Sequence, residues 1–156
     1  MLALEPGSVI LFGSKRKGFV LDTVFVVARR VPYDSSNWRK LGVEEQYRDA
    51  SLAPLFDDSG CADDDRSLQL YEGATFQNRV GEMFSFFPCK PVAESEGFAR
   101  PRIKLPGIVN PKLGMGLKIG KPVSLETAKG KWQAVAEQVL KAGLRLGVRV
   151  DMPAYS

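Results

Sequence analysis

The sequence predicts an α+β fold, a mainly antiparallel, barrel-like sheet with one long C-terminal helix followed by a final strand. Three observations lead there. Short apolar, β-prone runs bounded by Gly, Pro and polar clusters recur between residues 9 and 89. Leu125, Ala128, Trp132, Val135, Ala136, Val139 and Leu140 return at three- and four-residue intervals. Finally, Leu144, Leu146, Val148 and Val150 alternate with Arg145, Gly147 and Arg149.

In chain order, Pro6-Gly7 is a turn signal before Val9-Ile10-Leu11-Phe12, a short strand closed by Gly13-Ser14. A compact basic connection, Lys15-Arg16-Lys17-Gly18, leads into Phe19–Ala28, the most β-prone segment, and the two strands should form a hairpin. Pro32 to Asn37 reads as loop and Trp38 to Tyr47 as a segment holding a short helix. Ser51 to Phe56 reads as extended or irregular. Asp57 to Arg66 carries five aspartates without the spacing of an EF-hand, so a solvated acidic loop is expected and no metal site. Strands return at Ser67–Tyr71 and at Glu82–Cys89, the latter ended by Pro88 and Pro91.

Residues 97–112 should be extended, because prolines at 101, 106 and 111 disfavour helix at the residues before them. The glycines of 113–120 form neither a GxGxxG fingerprint nor a P-loop, so no dinucleotide cofactor is expected, nor any other. Ser124 is the N-cap of the long helix, which ends near Gly143. The last strand presents one core face and one basic face.

With 156 residues, 44% hydrophobic and 26% charged, one domain spanning 1–156 is expected. A chain this long buries roughly 70% of its unfolded surface, so it needs no disulfide or metal to fold. Cys61 and Cys89 have no pairing context, and no basic leader or long apolar run is visible, so a reducing, cytoplasmic protein without a membrane span is predicted.

The sequence contains no histidine. That removes Ser/His/Asp and Cys/His nucleophile pairs, HExxH zinc helices and histidine proton shuttles. What remains is a binding module, or an enzyme built on carboxylates, Lys/Arg, Tyr or Cys.

The net charge of +4 hides an asymmetry: residues 1–43 carry +4, 44–66 carry −6, 67–98 carry −2 and 99–156 carry +8. Basic flanks around an acidic middle offer phosphates a positive face. Solvated Lys and Arg on ordinary exposed faces account for the pattern equally well.

Asp22 is the one charge inside the ten-residue apolar strand, on a face shared with Val20, Val24 and Val26. A carboxylate there must be paired, hydrogen-bonded or protonated. It is either a functional group, with Thr23 beside it to read a base edge, or a structural Asp that accepts backbone N–H bonds at a bulge or pairs with a core Arg. Phe84 and Phe86 share one strand face, with Tyr71 on a neighbouring strand; aromatics beside Arg suit base stacking, although core packing is the commoner use of Phe. Arg100, Arg102 and Lys104 alternate on an extended segment, and Arg145 and Arg149 do so on the last strand, as two rows able to contact phosphate or to guard a sheet edge. Cys89 lacks any activating partner except Lys90.

Pro6-Gly7-Ser8-Val9-Ile10-Leu11-Phe12-Gly13, with the strand Val20 to Val27, resembles the Pro-Gly-polar turn and first strand of PUA-like domains, the group of ASCH, EVE and SRA-type readers of RNA and modified DNA. It also resembles bacterial and phage proteins found near DNA-modification or defence systems. The resemblance covers about thirty residues, and the Gly-x-Lys-x-x-Glu-x-Arg run of the ASCH subfamily is missing, so that subfamily's catalytic residues are not carried over. It implies a small pseudo-barrel whose pocket takes a nucleobase. The expectation is a module that binds a nucleotide or nucleic acid and reads a modified or unstacked base. The alternatives are a small enzyme acting through Asp22, with no histidine, and a defence-associated subunit that docks on a protein partner.

Overall fold

A computed structural model describes residues 4–15, 18–58, 68–91, 99–104 and 122–148. The described strands are β1 (Val9–Lys15), β2 (Phe19–Tyr33), β3 (Leu68–Gly73), β4 (Phe87–Cys89), β5 (Arg102–Ile103) and β6 (Arg145–Gly147). The helices are a short α1 (Glu45–Tyr47), which continues as wider turns over Arg48–Leu52 and Pro54–Asp58, and the long α2 (Leu125–Lys141). The chain is therefore α+β with antiparallel pairing and a long helix before the last strand. The described strands form two sheets, β1-β2-β3 with β5 also on β2, and β4 with β6. They do not close into a barrel.

The chain divides into two compact units, residues 1–29 with 73–156, and residues 30–72. The charge divides with it. The first unit has 17 Lys and Arg against 8 Asp and Glu, a net of +9, and the second has 5 against 10, a net of −5.

In the first unit the predicted hairpin forms. β1 pairs with β2 from Val9↔Val26 to Lys15↔Phe19, with one break: Phe12 faces Thr23 but Gly13 faces Leu21. Asp22 is thus the extra residue of a β-bulge. A bulge counts two residues as one, which shifts the alternation expected from sequence. Asp22 does not share the face of Val24 and Val26; Leu21 takes that place, fully buried with them in the core. Gly13 is fixed by the same feature, since a Cβ there would lie 2.2 Å from the carbonyl oxygen of Val20.

The opposite edge of β2 is filled by pieces from distant parts of the chain. Val20 and Phe19 pair with Arg102 and Ile103, and the Leu21 N–H donates to the Pro101 carbonyl at 3.0 Å. Val24 exchanges two bonds with Phe86, and the Ala74 N–H donates to the Val26 carbonyl. The Ser85 hydroxyl accepts the Val26 N–H at 3.0 Å. The predicted strand Glu82–Cys89 is accordingly interrupted: only Phe87–Cys89 is a strand, and Pro88 lies inside it opposite Leu146 instead of ending it.

α2 begins as expected, the Ser124 hydroxyl accepting the Thr127 N–H at 3.2 Å. It ends in a Schellman motif, with Gly143 at φ 77°, its N–H on the Leu140 carbonyl, and the Leu144 N–H on the Val139 carbonyl. Trp132, Val135, Ala136 and Val139 are buried against Leu21, Val24, Val26 and Phe86. Leu140 and Val148, expected in the core, are about half exposed because the stripe facing the sheet is narrower than the apolar pattern.

The second unit has its own core of Tyr33, Trp38, Leu41, Leu52 and Phe56. Ser51 to Phe56, expected to be extended or irregular, is helical. The turns bring Phe56 flat against Trp38, with ring centroids 5.4 Å apart, and edge-on to Tyr33. Burial pushes the Tyr33 phenol up, and Tyr47 adds to the shift.

Candidate functional site

The bulge turns Asp22 away from the core. Its side chain is 33% exposed and meets Arg100, whose Nε lies 2.8 Å from Oδ1. The pair lacks hydrogen-bond alignment: Oδ1 is shut off from solvent yet accepts no hydrogen bond. Each structural alternative raised by the sequence is met only in part: Oδ1 accepts no backbone N–H at the bulge, and the paired Arg is not a core residue. Asp22 is a bulge residue and is paired with an Arg, but that Arg belongs to the surface, 68% exposed. Thr23, the next residue, is half-buried and faces Phe12 across the hairpin.

Arg100 is carried on a segment held at three points. Pro101 accepts from Leu21, β5 pairs with β2, and Gln138 of α2 clamps the residue after β5. The Lys104 N–H donates to Gln138 Oε1 at 2.7 Å, and Gln138 Nε2 donates to the Lys104 carbonyl at 2.9 Å. Arg102 and Lys104 are both exposed. A short basic row thus runs along one fixed edge of the four-stranded sheet, with the Asp22 carboxylate beside its first member.

The other expected residues belong to other elements of the fold. Phe84 and Phe86 are core side chains, 7% and 2% exposed. Trp132 meets both rings edge-on and donates from Nε1 to the Phe84 carbonyl at 3.1 Å, so neither ring offers a face to solvent. Tyr71 is half-buried on β3, in the second unit. Arg145 is exposed on β6, in the two-stranded sheet; Arg149, the acidic run 59–66 and Cys61 fall outside the described residues. Cys89 is a free thiol donating to the Arg145 carbonyl at 3.8 Å.

Comparison with protein-family models, characterised proteins and solved structures finds no match. The residues must speak for themselves. Among those described, no cluster of three or more His, Cys, Asp or Glu is placed to hold a metal ion. No helix among them is long and apolar enough to cross a membrane.

Sequence reasoning missed one group. Phe76 is 45% exposed on the connection between β3 and Phe86, with the Arg79 guanidinium 4.0 Å from its ring centroid. A lone Phe among polar residues has no periodicity to mark it, and only the Phe-x-x-Arg spacing hints at the contact.

Proposed function

We propose that the first unit is a nucleotide- or nucleic-acid-binding module whose phosphate contacts are made by Arg100 and Arg102. The observation that carries this is the Asp22–Arg100 pair at the bulge. Bulges recur beside functional sites because they re-aim a side chain. Here the re-aimed carboxylate engages Nε of Arg100 and leaves the terminal nitrogens of the guanidinium for a phosphate, which Arg binds through a fork of N–H donors. The net charge of +9 on this unit favours a polyanion over a neutral ligand. Lys104 extends the row, and Arg145 is a further exposed cation of the same unit. The PUA-like resemblance of the first two strands belongs to this proposal and points the same way.

The test is binding of a fluorescently labelled oligonucleotide across a salt series. Affinity should fall steeply with salt, because phosphate neutralisation releases counterions. Arg102→Ala should weaken it, and salt-independent binding overturns the phosphate role.

A second reading uses the same carboxylate as a general base or metal ligand in a small enzyme, favoured by its partly exposed position at the bulge. Turnover of a nucleotide or nucleic acid that is lost in Asp22→Asn with the fold intact supports it. Binding without turnover counts against it.

A further inference from the structure

Resting on the nucleic-acid-binding reading above, we infer that the exposed ring of Phe76, backed by Arg79, is a stacking site for an unpaired base of a single-stranded nucleic acid.

The site is built on a tight turn. Val80 and Met83 exchange two backbone hydrogen bonds around Gly81 and Glu82, whose φ values are 55° and 70°. Positive φ at both central residues is the type I′ pattern, and for Glu it is a strained conformation that the surroundings must hold. The two backbone bonds between Val80 and Met83 hold it, and the Glu82 carboxylate is ion-paired with Lys129 of α2. At the other end of the loop the Thr75 hydroxyl accepts the Asn78 N–H at 3.0 Å.

Phe76 stands on this fixed frame, edge-on to the buried Phe84 with centroids 5.1 Å apart. Arg79 donates from Nε to the Phe76 carbonyl at 2.8 Å, and its guanidinium lies over both Phe76 and Phe84. One side of the ring is therefore braced, and 45% of the residue remains in water. A single exposed Phe is ordinary on protein surfaces. A Phe locked by a buried aromatic and a stacked guanidinium is different, because its ordering entropy is lost before any ligand arrives.

Charge selects the occupant. Phe76 and Arg79 belong to the unit of net charge +9, and the one carboxylate in the turn is neutralised by Lys129. A planar base stacks on a ring or guanidinium face, and the linked phosphates are drawn by the positive charge of the unit. An apolar peptide would gain nothing from that charge.

The experiment compares the full chain binding an oligothymidylate of about twelve nucleotides with an abasic strand of equal length and equal phosphate count. The wild type should hold the oligothymidylate more tightly. Phe76→Leu, which keeps the contact with Phe84, should lower oligothymidylate affinity roughly 5- to 150-fold and leave the abasic strand unchanged; Phe76→Tyr, which keeps the ring, should retain binding. If Phe76→Leu changes neither ligand while both still bind, stacking is overturned and phosphate binding stands. If the wild type holds neither strand at low salt, the nucleic-acid reading fails and takes the stacking site with it. Loss of self-association as the sole effect of Phe76→Leu overturns the site in favour of a second copy of the chain.

Discussion

Nε of Arg100 lies 2.8 Å from Oδ1 of Asp22, the extra residue at the break in the β1–β2 register. A pair in which one partner is 68% exposed is screened by water, and this one lacks an aligned hydrogen bond. Its contribution to stability is small. A double-mutant cycle of Asp22→Asn and Arg100→Ala, read by urea unfolding, should give a coupling of at most about 1 kcal/mol. A coupling of several kcal/mol would make the pair a structural element and remove the reason to assign it a binding role.

The bulge itself is testable by deletion. Removing Asp22 leaves Leu21 opposite Gly13 and Thr23 opposite Phe12 in a regular ladder, with Leu21 still on the core face. The shortened chain should fold, losing no more than about 2 kcal/mol, while its oligonucleotide affinity drops. Deleting Phe25, in the regular part of the strand, puts Val24 and Val26, which share the core face, on opposite faces and should cost at least about 3–5 kcal/mol. Equal loss in the two deletions contradicts the bulge assignment.

Much of the fold was legible because local chemistry and packing agree. The Pro6-Gly7 turn, the β1–β2 hairpin, the Ser124 cap, the Gly143 stop and the four buried residues of α2 all follow from turn residues and periodicity. The site was legible in composition but not in geometry. Asp22 and Arg100 were both evident as residues, yet the face of Asp22 depends on a bulge opposite Gly13, which alternation along one strand cannot reveal. Phe84 and Phe86 read as strand aromatics, and their burial is decided by Trp132, 48 residues beyond Phe84. The turns of 48–58 are helical because Leu52 and Phe56 must reach Trp38 and Tyr33, a tertiary demand that overrides weak local preference.

Gln138 acts as a positioning residue for the basic row. Gln138→Leu removes both bonds to Lys104 and no charge. Oligonucleotide affinity should fall roughly 2- to 10-fold with an unchanged salt slope, and the amides of 102–104 should exchange faster with solvent. A changed slope, or full affinity with faster exchange, would show that the clamp does not serve the site.

The Glu82–Lys129 pair gives a signed pH dependence. The hydrogen bond and charge of Lys129 hold the Glu82 carboxyl below its ordinary value of 4.5, and the same contact raises the Lys129 ammonium above 10.5. The carboxylate contribution is complete above the ordinary carboxylate range and is lost as pH falls through the lowered value. The ammonium contribution is complete below the ordinary lysine range and is lost as pH rises through the raised value. The difference in Tm between wild type and Glu82→Gln should therefore be full at neutrality and shrink on acidification below 4.5. A difference that stays constant through the carboxylate range contradicts the pairing.

The most direct measurement is the salt dependence of single-strand binding by the wild type, Arg100→Ala and Arg102→Ala. If these guanidinium groups each neutralise a phosphate, log affinity falls linearly with log salt and each substitution lowers the slope by about 0.7. Slopes and affinities identical in all three proteins, or binding indifferent to salt, would contradict a phosphate-binding edge at Arg100 and Arg102.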